Sequence, residues 1–338
     1  MEKSNGLSGL SNLGNTCFIN SCMQILSHTY ELNNLLNNDI FLKKINNIPE
    51  SILLLEWNNL RKMLWNSDCI ISPGKFLNTI HRIAKIKNNE NFTGYSQNDI
   101  VEFLLFIVDC FHTSVSREIN MTITGTSENN TDEIAIKCFE MIKQMYSKEY
   151  SEIWNLFYAV HISEIKSVNT NQVHKLIPEP YFIIDLPIPQ DNKSPSLINC
   201  LDLYVDGEIL ENENAWKNEV TGHFESVKKQ IQFWSFPSIL VVSFKRFNSN
   251  GRKNQILITF PIENLDLSKY VIGYKKNTYV YELYGICNHS GNVLGGHYTS
   301  YVKNMNNKWY HFNDTSVDEI SINSIITEKA YCLFYRKK

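Results

Sequence analysis

The chain has 338 residues, of which 43% are hydrophobic, 12% aromatic and 20% charged, and its formal net charge is -3. This composition excludes a wholly disordered chain, collagen and a coiled coil, and it leaves enough apolar residues for a sizeable core. The absence of a basic surplus argues against a dedicated nucleic-acid binder.

No run of about 18 apolar residues occurs, so no membrane-spanning helix is expected. The polar start MEKSNGLSGLSNLGNTC lacks the apolar stretch of a secretory signal. The eight cysteines (Cys17, Cys22, Cys69, Cys110, Cys138, Cys200, Cys287 and Cys332) contain no C-x-x-C pair. A reducing, intracellular setting is therefore expected, with most thiols serving as buried packing groups.

Taken in chain order, residues 16–37 read as a helix that Asn15 or Thr16 caps, with Phe18, Ile25, Leu26, Leu32 and Leu35 at mostly helical spacing. Residues 51–65, 73–85 and 131–148 read as further helices, and 96–112 as a strong one with Ser96 as cap and Asp99 three residues on. Residues 115–130 and 190–225 are polar and predict loops. The segments 181–189, 230–236, 239–247, 255–261, 279–289, 297–303, 308–314 and 330–336 are rich in β-branched and aromatic residues and predict strands. Helices first and strands later predict an α+β protein and not alternating βαβ units.

Cys17 lies at a helix start, where partial positive charge and free N–H groups favour a thiolate. Alone, such a cysteine is ordinarily a packing group. Its neighbours shift the balance: Gly14 permits close backbone approach, and the Asn12 amide can donate to a developing oxyanion. The glycine-rich segment 287–301 offers two candidate bases, His289 and His297. Asn313 and Asp314 follow the next predicted strand and are candidates to orient an imidazole. The order Cys, His, Asn/Asp is that of a papain-like triad.

Five blocks then carry a specific resemblance. GLSNLGNTCFINSCMQ (9–24) resembles the Cys box of the ubiquitin-specific proteases, and segment 281–317, with GGHYTSY and WYHFND, resembles their His box. GYSQNDIVEFLLFIVD (94–109), FPSILVVSFKRF (236–247) and AYCLFYR (330–336) are similar to three further blocks of that family, in the same order. The resemblance runs from about Leu7 to Arg336 and implies a papain-like fold in a thumb–palm–fingers arrangement, as one catalytic domain over 7–338. The helical thumb would span about 7–150 and the palm 151–338, with fingers near 160–240.

The resemblance also implies roles. Cys17 matches the nucleophile, His297 the general base, Asn313 the third triad position and Asn12 the oxyanion-hole residue, while Asp314 would share or assist the third role. Asp99 matches the acid that grips the arginine-containing tail of ubiquitin, with Gln97 and Glu102 on the same helix. Phe247, His289 and Tyr298 match positions lining the channel for the Gly-Gly end.

The implied activity is thiol-dependent hydrolysis of the bond after the C-terminal glycine of ubiquitin, by a monomer acting on ubiquitin and ubiquitinated proteins. Nucleic acid, membrane and cofactors are not expected to take part. The alternatives are a protease for another modifier and a catalytically silent ubiquitin-binding module. Many relatives carry two C-x-x-C pairs in the fingers. They would fall in SVNTNQVH and AWKNEVTG, which contain no cysteine, so no metal is expected there and the fingers should be held by apolar packing alone.

Overall fold

A computed structural model describes residues 5–66, 68–190, 193–219, 221–292 and 295–338. Its first half is helical. In chain order it contains β1 (Gly9–Leu10), α1 (Cys17–Ser27), α2 (Tyr30–Leu36), α3 (Asp39–Leu42), α4 (Pro49–Asn66), β2 (Ile70–Ile71), α5 (Gly74–Ile86), α6 (Ile100–Val115), α7 (Asn130–Glu149) and α8 (Glu152–Phe157). The helix predicted over 16–37 is two helices. Between them the N–H groups of His28 and Thr29 turn back to Ile25 and Leu26, a tightening that ends α1. Asp99, and not Ser96, caps α6: its Oδ1 accepts the Val101 N–H at 2.7 Å.

The second half is strand-rich: β3 (Ala159–Ser167), β4 (Val173–Tyr181), β5 (Ile183–Leu186), α9 (Leu197–Asp206), β6 (Glu208–Leu210), β7 (Trp216–Lys217), β8 (Phe224–Glu225), β9 (Val227–Phe233), β10 (Ile239–Phe244), β11 (Leu265–Asp266), β12 (Val280–Asn292), β13 (Gly295–Lys303), β14 (Trp309–Asn313), β15 (Ser316–Ile320) and β16 (Ala330–Lys337). The main sheet runs β15-β14-β13-β12-β16-β10-β5, with β11 on β12, and is antiparallel except where β5 joins β10. A smaller sheet runs β4-β3-β9-β6.

The run ILVVSF explains its own place. All six residues of β10 are buried, with Ile239 and Val241 facing the helical half and Leu240, Val242 and Phe244 facing the opposite core. A strand covered on both faces has no polar side to show. The core shared with the helices takes in Phe18, Ile25, Phe103, Tyr298 and Phe334; α1 lies directly on the main sheet, and α6 packs against α1.

Two expectations fail here. Residues 255–261 form no strand, because their backbone groups go elsewhere: Arg246 takes the carbonyls of Asn254 and Ile256, and Thr259 bonds with Pro195 and Leu197. The predicted loop at 190–225 contains α9, started by a capping box of Ser196 and Asn199.

Candidate active site

The site lies where the start of α1 meets the start of β13 and the end of β14. Thr16 ends the loop before α1 without a side-chain cap, because its Oγ1 accepts the Leu13 N–H at 3.0 Å. The first N–H groups of α1 therefore stay open beside the Cys17 thiol. Burial is the largest influence on that thiol and raises its pKa above 9.0. The backbone N–H of Tyr298 opposes this, the charge of Asp314 adds to it, and the N–H groups of Phe18 and Cys17 oppose it further. Burial thus disfavours the charged thiol, and backbone donors are already placed to stabilise it once charged.

His297 lies on β13 and is held by one contact that fixes its ring: Nε2 bonds to Asn313 Oδ1 at 2.7 Å. An acceptor at Nε2 places the proton there and leaves Nδ1 as the basic nitrogen. Among the described residues no hydrogen bond joins Cys17 to His297. Contacts of this kind commonly tighten only when substrate binds.

Asp314 is placed differently from the expectation that it shares the role of Asn313. It has a left-handed φ of 49°, which swings its carboxylate away from His297 and towards the α1 loop. There Oδ2 accepts the Asn12 Nδ2–H at 3.0 Å and Oδ1 accepts the Asn20 Nδ2–H at 2.7 Å. Its carbonyl also accepts the Leu10 N–H at 2.8 Å. The other end of the Asn12 amide accepts the N–H groups of Gly14 and Thr16, both at 3.1 Å. The Asn12 carboxamide is thereby locked from both sides, with one N–H left over. Sequence reasoning missed Asn20; the available signal was an amide among apolar residues three positions after Cys17.

Gln97 and Glu102 part company. The Gln97 carboxamide pairs with both backbone groups of Gly296: it donates to the carbonyl at 2.8 Å and accepts the N–H at 2.6 Å. It therefore braces the residue preceding His297. Glu102 is exposed, accepts from Asn91 at 3.1 Å and is not brought into the site.

Behind Gly296 sits an aromatic cluster. His289 is buried against Tyr298, Phe247 and Tyr331, with ring centroids at 4.6, 5.7 and 5.7 Å. Burial, and then the nearby Lys253 charge, lowers its pKa to about 4. Asp99 closes the cluster, since its Oδ2 accepts the Tyr331 hydroxyl at 2.6 Å and lies 3.5 Å from that of Tyr298. Burial, and then the Asp99 charge, drives both tyrosine pKa values upward. Tyr331 was also missed, because a tyrosine opening a buried strand reads as core. At Gly296 a Cβ would stand 2.2 Å from His289 Nε2, so only glycine fits between the cluster and β13.

A family model for ubiquitin carboxyl-terminal hydrolase matches residues 8–335. The chain belongs to this family. It is 32% identical over 346 residues to ubiquitin carboxyl-terminal hydrolase 2 of Bos taurus, covering 99% of this chain and 55% of that protein. To ubiquitin carboxyl-terminal hydrolase 21 of Homo sapiens it is 28% identical, covering 97% of this chain and 61% of the relative. The chain thus spans little more than half the length of these relatives. Among solved structures it is similar to Ubp8 in the SAGA DUB module with Sgf11, Sus1 and Sgf73 bound to monoubiquitin, with a TM-score of 0.76 and 25% identity over 100% of this chain and 70% of that one. It is also similar to the yeast SAGA module carrying an Sgf73 substitution, with a TM-score of 0.75 and 26% identity, covering 100% of this chain and 70% of that one.

In this ubiquitin carboxyl-terminal hydrolase chain, the cysteine-free segments 167–174 and 215–222 meet around Trp216. His174 stacks on Trp216 at 5.2 Å, its Nε2 lies 3.2 Å from Glu225, and Asn218 donates to that carboxylate at 2.8 Å. An aromatic stack and polar contacts at the Glu225 carboxylate hold this end, which corrects the expectation of apolar packing alone. No helix among the described residues is long and apolar enough to cross a membrane.

Proposed function

We propose that this chain is a thiol-dependent deubiquitinase that hydrolyses the bond after the C-terminal glycine of ubiquitin. The observation that carries the reading is the 2.7 Å contact from His297 Nε2 to Asn313, on the strand pair packed against the open start of the Cys17 helix. With Nε2 protonated, His297 Nδ1 takes the Cys17 proton, and the thiolate attacks the glycine carbonyl. The free Asn12 N–H and the first N–H groups of α1 hold the oxyanion. His297 then protonates the departing lysine amine, and water hydrolyses the thioester.

In this reading Phe247, His289, Tyr298 and Tyr331 wall a channel that admits two glycines and excludes larger side chains. Asp99 supplies the negative charge that an arginine-bearing tail requires, with its carboxylate preset by the two tyrosines. Asp314 serves as a positioning residue for Asn12, and Gln97 as one for the segment before His297. The helical half, the main sheet and the β4-β3-β9-β6 sheet take the places of thumb, palm and fingers. Free thiols suit an intracellular setting.

The test is a ubiquitin carrying a C-terminal electrophile, mixed with the wild-type chain and with Cys17→Ala, beside a SUMO probe of the same chemistry. A covalent ubiquitin adduct that disappears in Cys17→Ala is expected. An adduct with the SUMO probe alone would keep the chemistry and replace the substrate. No adduct with either would sink the enzymatic reading in favour of a binding module.

A further inference from the structure

On the far side of the aromatic cluster the main sheet carries a second concave feature. A cavity of about 430 Å³ opens beside the end of β10, within the ~300–1,000 Å³ usual for small-molecule sites. Four cations line it, Lys245, Arg246, Arg252 and Lys253, and among the described residues no carboxylate does. Lys245 lies 3.9 Å from Asp185, whose carboxylate already accepts the Ser243 hydroxyl at 2.7 Å. Among the described residues Arg246, Arg252 and Lys253 form no ion pair. The exposed Glu328 acts on Arg246 and Lys253 only from outside the lining, and Lys329 adds a further positive charge near Lys253.

Arg246 makes the arrangement unusual. It is 1% exposed, donates Nε to Ala330 O at 2.7 Å, and donates Nη1 to the carbonyls of Asn254 and Ile256 at 3.0 and 2.9 Å. Among the described residues its Nη2 is buried with no hydrogen-bond partner. A charged donor left unmet in the interior is costly, and native structures rarely keep one without a ligand, ion or water to meet it. Beside it, Lys253 donates Nζ to His289 O at 2.5 Å. Burial, and then the Arg246 charge, lowers its pKa to about 8. Two partly desolvated cations thus stand side by side with no ion pair among the described residues, and two exposed cations stand at the rim. Fixed cations converging on one concavity raise the local concentration of anions. The sign also separates this cavity from the channel beside Asp99, because a basic peptide tail would be repelled here.

We propose that this cavity binds a small, multiply charged phosphate-bearing anion, held by Lys245, Arg246, Arg252 and Lys253. Guanidinium forks and ammonium groups are the usual recognition elements for such oxyanions. Because Lys253 also holds the carbonyl of His289, the occupied site would abut the wall of the proposed channel.

Calorimetric titration of the whole chain with inorganic tripolyphosphate at low ionic strength tests the assignment. In parallel, phosphatidylcholine vesicles with and without phosphatidylinositol bisphosphate separate a free phosphate ligand from a lipid headgroup. Saturable binding at one site is expected, weakened about tenfold by Lys245→Gln and by Arg252→Gln, both exposed and safe for the fold. Lys228→Gln, which removes a cation paired with Asp206 on another sheet, should leave binding unchanged. Cys17→Ala should also bind normally, so the result is independent of the proposed activity. Absence of saturable binding, equal weakening by Lys228→Gln, or binding to the phosphoinositide vesicles alone would each overturn the assignment.

Discussion

At the scale of single residues, the two neighbours Asn313 and Asp314 do different work although one position separates them. A left-handed φ at Asp314 sends one side chain to His297 and the other to Asn12 and Asn20. Under the proposed mechanism this difference is measurable in a double-mutant cycle. Asn12→Ala should lower kcat by roughly 10²–10³, the usual cost of losing an oxyanion donor. Asp314→Ala should lower it by a similar factor, and the double variant should be little worse than either alone, because both remove the same oriented amide. Additive losses would show that Asp314 acts through another group. From sequence alone both residues were visible as candidates. Their division of labour was not, because it depends on one backbone dihedral and on which side chains the fold brings opposite.

At the scale of elements, the strand that carries His297 takes a brace from a different half of the chain. Gln97 precedes α6, yet its amide completes the backbone hydrogen bonding of Gly296 on β13. Gln97→Glu keeps an acceptor for the Gly296 N–H but sets a carboxylate against its carbonyl. Gly296→Ala drives a methyl group into His289. Both should displace His297, and a shift of about 1 Å in a reacting group costs on the order of 10²-fold in rate. The expected outcome is a fall of that order in kcat for Gly296→Ala, and a smaller fall for Gln97→Glu, with far-ultraviolet circular dichroism unchanged. Wild-type turnover in either variant would contradict the brace. The long periodic helices and the wholly buried strand β10, apolar but for Ser243, were legible because their patterns match burial on one face or two. The segment 255–261 misled for a physical reason: its β-rich residues meet a buried arginine, which takes the carbonyls a neighbouring strand would have used. The helix α9 was hidden because its capping box uses Asn199 in place of an acid or glutamine.

At the scale of the whole molecule, the helical half and the sheet share one core, and two histidines buried at this seam tie stability to pH. Burial is the first cause in both His28 and His289, and each pKa falls from 6.5 to about 4. Below pH 6.5 the unfolded chain gains protons that these folded rings refuse. Folding stability should therefore be full above that pH and fall as the pH drops towards about 4, by on the order of 3 kcal/mol for each ring. Urea midpoints measured between neutral and acid pH should show this slope, and His289→Phe should make it shallower. An unchanged slope in that variant would remove His289 from the account. The sequence by itself determined the fold class and the family, and it singled out Cys17, His297 and Asn313 as the candidate triad, because these follow from local pattern and from motifs that keep their spacing. Only the tertiary structure decided what Asp314 and Gln97 hold, that Glu102 stands apart, that Tyr331 and Asn20 belong to the site, and that four cations converge on one cavity. Those facts rest on contacts between residues far apart along the chain, whose meeting is set by sheet register and packing and leaves no trace in local pattern.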